Sequence, residues 1–263
     1  MKILAIETTG PNASVALVNE NREVWEVTSD KKLSHLQNLI PMIDDLLEKC
    51  ELGIDDVTHI AVSEGPGSFT GIRIGMATAK ALAQALDLPA ISVPTLQSFA
   101  WNVPDFQGLI CPLFDARREQ VYAGAYYCDE GRCCQAVRDD AWSLDGFLSA
   151  VEAADPEHEK EICFFGDGIR VFERALKEWA ISTERLSSND DMNRILAEPE
   201  IRLQRAASVA MAALEIAGAG GAKSFELLQP VYLRKAEAER KLAAKGSVPS
   251  GSKAATGSDT VVG

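Results

Sequence analysis

Residues 63–75, SEGPGSFTGIRIG, place four glycines and one proline between an apolar strand-like run and a long helix-like run. Glycine tolerates positive φ and lets another chain segment or a ligand come close, while proline fixes one φ. Ser68 or Thr70 can cap the helix that follows. The exposed amides of a helix N-terminus favour anions, so one interpretation is a phosphate-binding loop. The other, which the spacing alone favours, is a tight strand-to-helix connection that binds nothing. No lysine follows Gly71, which excludes a P-loop.

The hydrophobic periodicity on either side of this loop predicts alternating strands and helices. Three strand-like runs, an amphipathic helix and a buried strand precede the loop, and a helix, a strand and a short helix follow it. The predicted elements are strands at 2–7, 13–18, 23–27, 58–63 and 90–93, and helices at 33–50, at 72–86 and from Thr95. The order is therefore βββαβαβα.

The same order restarts about one hundred residues later. An offset of 108 residues sets Glu7 over Asp115, each at the end of an apolar run. The same offset, without a gap, sets residues 13–18 over residues 121–126. A duplicated domain explains both matches. We therefore predict an α/β fold with two domains, built from a duplicated βββαβαβα unit.

The duplication predicts two domains and a C-terminal part. The run at 203–217 is apolar and Ala-rich, and we expect this helix to pack back on the first domain. From Lys245 onward, small and polar residues dominate, which is typical of a disordered tail. The predicted divisions are 1–104, 105–200, a helix and extended segment at 201–240, and the tail at 245–263.

Composition and charge argue against several classes of protein. With 263 residues, 46% of them hydrophobic and 25% charged, the chain has a globular composition. A formal net charge of −13 argues against unaided binding of nucleic acid, because phosphate contacts need clustered Lys and Arg. The six cysteines form no CxxC pair, so we expect reduced core thiols rather than a disulfide scaffold or zinc site. The N-terminal residues do not have the basic region, apolar run and cleavage site of a signal peptide, and no apolar run is long enough to span a membrane. We therefore expect a soluble, cytoplasmic protein without membrane contact.

Both copies of the repeat place a carboxylate at the end of a strand, before a turn and a second strand. This arrangement is typical of the phosphate clamp of actin-like ATPases, whose paired hairpins hold a nucleotide between two domains. The second turn, DARRE at 115–119, has no glycine and two arginines, which argues against ATP hydrolysis. We predict a vestigial nucleotide cleft formed by Glu7, Thr8, Thr9, Gly10, Asp115 and Arg117.

Metal and hydrolase motifs are missing from the sequence. His35, His59 and His158 each lack a second histidine three or four residues away, so no helix presents a metal-binding pair. Neither HExxH nor GxSxG occurs. The sequence therefore predicts no metal site, no catalytic residues and no peptidase or esterase activity.

The helix predicted at 72–86 carries small residues at every fourth position, which share one face. Such a strip either lets another helix approach closely or packs on the protein's own sheet, and the sequence leaves both open. Together with the helix at 33–50, it could form a four-helix contact with another subunit. The strip is Gly71, Gly75, Ala79 and Ala83. The predicted partner-interface residues are Leu33, His35, Leu36, Leu39, Ile72, Gly75, Met76, Ala79 and Ala83.

Five motifs in collinear order resemble the bacterial TsaB (YeaZ) family. They are ILAIETT at 3–9, GPGSFTGIRIG at 65–75, DARREQVY at 115–122, GDG at 166–168 and PVYLR at 230–234. The resemblance runs from Met1 to about Glu239, and the glycine loop with the DARxxxVY segment is specific to that family. It implies a member of the actin/Hsp70-like superfamily that acts in the synthesis of threonylcarbamoyladenosine (t6A) on tRNA.

The resemblance also implies a non-catalytic subunit that docks and activates the related subunit TsaD through its first two helices. TsaD carries the metal and transfers the threonylcarbamoyl group, and TsaE and TsaC-type proteins act in the same pathway. No cofactor is expected in this subunit, although ATP or ADP can bind at the interface with TsaD. Contact with tRNA is expected only through the complex. A homodimer through the same helices is an alternative assembly. Glu7 stands where many relatives have Asp, and the alternative function is weak binding or hydrolysis of ATP in the cleft between the domains.

Overall fold

A computed structural model describes residues 1–29, 35–187 and 192–234, except for the side chains of residues 35–38. Leu33 and the tail at 245–263 lie outside the described residues. Two β-sheets are found within residues 1–233, which group together as one structural unit. The domain boundaries drawn from the sequence stay a prediction.

The first half of the chain follows the predicted βββαβαβα order. Its elements are β1 Lys2–Glu7, β2 Ser14–Asn19, β3 Val24–Thr28, α1 His35–Lys49, β4 His59–Gly65, α2 Phe69–Leu86, β5 Ala90–Pro94 and the short helix α3 Thr95–Ser98, which continues as a 3-10 turn at Phe99–Asn102. The second half contains β6 Leu109–Asp115, β7 Gln120–Asp129, β8 Arg132–Ser143, α4 Leu144–Ala154, β9 Ile162–Phe165, α5 Gly168–Ser182 and α6 Ala206–Gly218.

The first sheet has the strand order β3-β2-β1-β4-β5. Its first three strands are antiparallel, and β4 and β5 continue it in parallel. Because side chains alternate along a strand, Leu4 and Ile6 of β1 pack with α1 and α2, whereas Ile3 and Ala5 pack with α6 on the opposite face. The sheet is therefore covered on both faces.

The second sheet has the order β8-β7-β6-β9. The duplicated α/β architecture is confirmed, but among the described residues this sheet has four strands instead of five. At the place of the fifth strand, Leu196 makes an isolated parallel bridge to Phe164. Helices α4 and α5 pack on one face around Phe147, Val151 and Leu176.

The third helix of each half packs on the sheet of the other half. Leu96 of α3 and Phe99 after it pack with Ile110, Phe114 and Phe165 of the second sheet. The alanine-rich helix α6 follows the second half in sequence but lies on the first sheet. Two crossing helices thus tie the two sheets together.

The predicted offset holds for β2 and β7, since Val15 and Ala123 each pack with the first two helices of their own half, but it fails for β1 and β6. Leu113 of β6 faces α4 and α5, as Ile6 of β1 faces α1 and α2. Since neighbouring residues of a strand face opposite sides, Asp115 is the counterpart of Thr8 and not of Glu7. The gapless alignment is therefore wrong for this strand, and the two carboxylates project from opposite faces of their sheets.

Candidate functional site

The glycine loop is packed by the chain's own first turn. A Cβ atom on Gly71 would overlap the carbonyl oxygen of Thr8, and one on Gly67 would meet Thr9. The Ser68 amide donates to the Thr9 carbonyl at 2.8 Å, and the Thr8 hydroxyl donates to the Gly71 carbonyl at 2.8 Å. These close approaches explain the glycines without a phosphate, so the structure favours the interpretation as a strand-to-helix connection.

Two further contacts complete the packing of this loop. The Ser68 side chain caps α2 by accepting a hydrogen bond from the Gly71 amide at 3.2 Å. Gly65 has a φ of +113°, and a Cβ there would overlap the carbonyl oxygen of Val231. The Val231 amide donates to the Glu64 carbonyl at 2.8 Å. The C-terminal segment thus packs against the loop at Gly65. It occupies the space through which a ligand could approach the backbone of that glycine.

Glu7 is fully buried and is bound by its own neighbours. Its carboxylate accepts hydrogen bonds from the Thr9 amide, from the Thr9 hydroxyl at 2.7 Å and from the Ser63 hydroxyl. Burial raises the pKa of this carboxyl, against the opposing effect of those hydrogen bonds. A carboxylate enclosed in this way has no free position for Mg²⁺ or a phosphate-bound water.

We expect Glu7→Gln to make the fold more stable than wild type at neutral pH and above, and the advantage should grow as the pH rises above the ordinary carboxyl pKa. The folded-state pKa of Glu7 is raised, so its stabilising contribution is full below the unfolded pKa and is lost as the pH rises through the folded pKa. The neutral amide keeps the volume and the acceptor for Thr9. Urea unfolding at several pH values measures this, with the exposed Glu48→Gln as control. A variant less stable than wild type at pH 8 would contradict the expectation.

The second turn lies on a cleft of about 770 Å³ next to the N-terminus of α5. Asp115, Arg117 and Asp167 line it, together with Pro11 from the first turn. The Arg117 amide donates to the Asp115 carboxylate at 2.8 Å, and the Asp115 amide donates to the Asp167 carboxylate at 3.2 Å. Residues of both hairpin turns therefore line the same cleft.

The chemistry of the cleft differs from that of a nucleotide clamp. Thr8 and Thr9 are buried, with exposures of 1% and 2%, and Gln204 packs on Gly10. Residues 117–119 all have left-handed φ values of +64°, +55° and +58°, although none is a glycine. The turn therefore lacks the glycines that would let its backbone amides approach a phosphate closely. Of the six predicted cleft residues, the structure places only Asp115 and Arg117 on the cavity.

The described residues contain no group of three or more His, Cys, Asp or Glu side chains arranged to hold a metal ion. Within the same ranges, no helix is both long enough and apolar enough to span a membrane.

The predicted interface residues on α2 face the protein's own core, which corrects the side-chain assignment. Ile72, Met76, Ala79 and Ala83 are at most 4% exposed and pack within the first half. A Cβ on Gly75 would overlap the Thr8 hydroxyl oxygen. On α1, Leu39 is 1% exposed, while the side chains of His35 and Leu36 lie outside the described part. The small-residue strip lets α2 approach the sheet and the first turn closely.

The exposed face of α2 carries a different stripe of residues. Phe69, Arg73, Ala77, Ala81 and Ala85 follow one another at four-residue spacing, and all are exposed. This stripe, which we call the outer α2 stripe, has large side chains at its N-terminal end and alanines along the rest.

The outer α2 stripe begins in an aromatic cluster that the sequence analysis missed. The rings of Phe69 and Tyr232 lie 5.0 Å apart, and the Arg73 guanidinium lies 3.9 Å from the Phe69 ring centroid. Arg73 also donates to the Tyr232 hydroxyl at 3.2 Å. The spacing of Phe69 and Arg73 on one helix was visible in the sequence, but Tyr232 joins them from a distant part of the chain.

Comparisons with known proteins identify the family. The model of the family described as "TsaD: tRNA N6-adenosine threonylcarbamoyltransferase" matches residues 27–242. The tRNA threonylcarbamoyladenosine biosynthesis protein TsaB of Bacillus subtilis is 35% identical over 178 residues, which cover 68% of this chain and 76% of that protein. The TsaB protein of Escherichia coli is 29% identical over 250 residues, which cover 93% of this chain and 100% of that protein.

Solved structures agree with this assignment. YeaZ from Pseudomonas aeruginosa has a TM-score of 0.65 at 24% identity and covers 88% of this chain and 99% of its own, which shows the shared fold. A second structure, described as similar to peptidase YEAZ from the same organism, has a TM-score of 0.69 at 26% identity, with 89% and 99% covered. The chain therefore belongs to the TsaB (YeaZ) family of tRNA threonylcarbamoyladenosine biosynthesis proteins.

Proposed function

We propose that this chain is a non-catalytic subunit that docks and activates a TsaD-type threonylcarbamoyltransferase through the outer faces of α1 and α2. The observation that carries the proposal is the outer α2 stripe. Ala77, Ala81 and Ala85 are exposed along three turns of one helix, which allows a partner helix to approach closely. Exposed Ile40 on α1, at 48%, adds apolar surface to the same side of the first half.

The aromatic cluster supplies the anchor that such an interface needs. Tyrosine and arginine are among the residues that dominate binding energies at protein interfaces. Phe69 and Tyr232 are 38% and 37% exposed, and their rings are already held by Arg73. A partner that covers these rings gains apolar burial and loses little side-chain entropy, because the cluster is preorganised.

The enclosed first turn supports a non-catalytic role. Glu7 accepts its hydrogen bonds from Thr9 and Ser63 and does not line the cleft, whose charged residues all come from the second half. The metal and the transfer chemistry then belong to TsaD, with TsaE and TsaC-type proteins in the same pathway. The net charge of −13 supports contact with tRNA only through the complex. ATP or ADP at the interface with TsaD is compatible with this arrangement.

We expect Ala81→Arg to weaken binding to TsaD at least thirtyfold, which corresponds to about 2 kcal/mol at an interface centre. A long charged side chain in the middle of the alanine stripe blocks close helix approach. Sedimentation of the purified chain with TsaD measures the loss of complex, and an in vitro t6A assay should lose the activation in parallel.

Ala153→Arg is the matched control, since Ala153 is an exposed alanine on α4 of the second half. Both variants should keep the thermal midpoint of wild type, and Ala153→Arg should bind TsaD normally. Normal binding by Ala81→Arg would refute docking through α2. If sedimentation of the isolated chain shows a homodimer that Ala81→Arg also dissociates, the two assemblies compete for one face.

The cleft at Asp115 and Arg117 is the observation that favours the second candidate, weak binding of ATP. Titration calorimetry of the isolated chain with Mg-ATP separates the two candidates. Heat that Asp115→Asn abolishes would support nucleotide binding, and the absence of heat at millimolar concentrations would exclude it.

A further inference from the structure

The tip of the β7–β8 hairpin carries two cysteines that face each other across the strands. Asp129 and Arg132 close a two-residue turn in which Glu130 and Gly131 have φ values of +47° and +77°, as in a type I′ turn. Cys128 pairs directly with Cys133 in the next position.

This cysteine pair occupies a non-hydrogen-bonded position of the ladder. Closing pairs of two-residue turns exchange hydrogen bonds, so the following pair does not. The Cys133 amide points away from β7 accordingly, and it donates to the Glu215 carboxylate of α6 at 3.4 Å. The Cα atoms of such pairs lie about 4.5 Å apart, within the range of about 4.4–6.8 Å that a disulfide bridges.

Both sulfur atoms lie on the same face of the sheet. Cys128 and Cys133 are half-buried beside the second-half cluster around Tyr126. Their thiols lie 3.8 Å from the Ala100 carbonyl and 3.9 Å from the Gln97 carbonyl. Cys134, the next residue, pairs with Tyr127 on the opposite face. The fold thus selects one of two adjacent cysteines as the partner of Cys128.

We propose that Cys128 and Cys133 form a reversible disulfide by exchange with a small-molecule disulfide such as oxidised glutathione. One protein thiolate attacks a sulfur of the oxidant and displaces one glutathione thiolate, which gives a mixed disulfide. The second cysteine loses its proton and attacks the protein sulfur of that bond, which releases the second glutathione. Two protein thiols are oxidised and one disulfide is reduced to two thiols.

The surroundings make this exchange slow at neutral pH. Burial raises the pKa of Cys128, and burial together with nearby Cys128 and Glu215 raises the pKa of Cys133 to about 12. Because only the thiolate attacks, the rate should rise about tenfold per pH unit in the range well below these pKa values. The proposal is independent of the docking of TsaD.

The test uses the full chain, incubated with oxidised glutathione at pH 8.5, alkylated and digested with trypsin without reduction. Arg132 lies between the two cysteines, so trypsin separates the peptide at 119–132, which contains Cys128, from the peptide at 133–138, which contains Cys133 and Cys134. We expect a disulfide-linked pair of these peptides that dithiothreitol separates.

Two serine variants assign the bond. Cys134→Ser should keep the cross-link, and Cys133→Ser should lose it, while thermal unfolding verifies that both fold. Separate peptides after oxidation of wild type would overturn the proposal. A cross-link that persists in Cys133→Ser and disappears in Cys134→Ser would overturn it as well, because the disulfide would then join Cys128 to Cys134.

Discussion

Replacement of Arg185 by alanine is expected to lower the free energy of unfolding by about 3–5 kcal/mol. The Arg185 side chain is 6% exposed, and it donates to the Glu152 carboxylate at 3.0 Å and to the Asp155 carboxylate at 3.1 Å. A third hydrogen bond reaches the Lys160 carbonyl at 3.1 Å. The truncation leaves the buried Asp155 carboxylate next to a cavity without its cation, while Glu152 keeps its contact with His158 at 2.5 Å.

The pKa of Asp155 supports this expectation. Burial alone would raise it, but the hydrogen bonds from Arg185 and from the amides of Lys160 and Glu159 lower it overall. A lowered carboxyl pKa contributes stability above the unfolded pKa, and this contribution is lost as the pH falls through the folded pKa. Arg185→Ala should therefore also reduce the acid sensitivity of the fold.

Arg174→Ala is the matched control for Arg185→Ala. Arg174 pairs with Glu178 at 2.8 Å, but its side chain is 91% exposed, so its loss should change the free energy of unfolding far less than the loss of Arg185. Guanidinium chloride unfolding of both variants gives the comparison. Equal stabilities would show that the buried cation contributes no more than a solvated one. Adding Glu152→Gln and Asp155→Asn to Arg185→Met should restore part of the loss.

Gly71→Ala is expected to destabilise the fold by about 3 kcal/mol, although alanine is the better helix former. The added methyl group would overlap the Thr8 carbonyl oxygen, which is backbone and cannot rotate away. The contact of the first turn with α2, including the hydrogen bond from Thr8 to the Gly71 carbonyl, must then open.

Gly218→Ala provides the contrast. Gly218 ends α6, and a Cβ there meets nothing within 4 Å, so helix propensity alone should apply and stabilise by up to about 1 kcal/mol. Thermal unfolding of the two variants measures the difference. If Gly71→Ala were as stable as Gly218→Ala, the close packing of the glycine loop on Thr8 would be refuted.

Most secondary structure follows from local patterns. The alternation in ILAIE predicts β1, the Asn- and Gly-containing turns predict the meander, and the small-residue helix after the glycine loop appears as α2. The duplication is visible because both halves repeat these patterns. The predicted offset was wrong for the first strand of each half, β1 and β6. Glu7 and Asp115 look equivalent in sequence, and only the packing of the strands on the helices shows which face each residue occupies.

The face of α2 illustrates the limit of the sequence most clearly. Small residues recur every four positions at Gly71 and Gly75, and again at Ala77 and Ala81, so the helix has two similar stripes. Periodicity treats them alike. In the structure the strip that begins with Gly71 and Gly75 packs on Thr8 and the sheet, because only glycine allows that approach. The outer α2 stripe is exposed to solvent.

The sequence by itself determined the duplicated α/β fold and the family, because these depend on residue types and on short-range spacing. Only the tertiary structure decided that Glu7 is enclosed and that Tyr232 joins Phe69 and Arg73. Those outcomes depend on which distant segments compete for the same apolar surface. Burial and close packing decide which of these segments come into contact, and local sequence patterns contain no information on such long-range contacts.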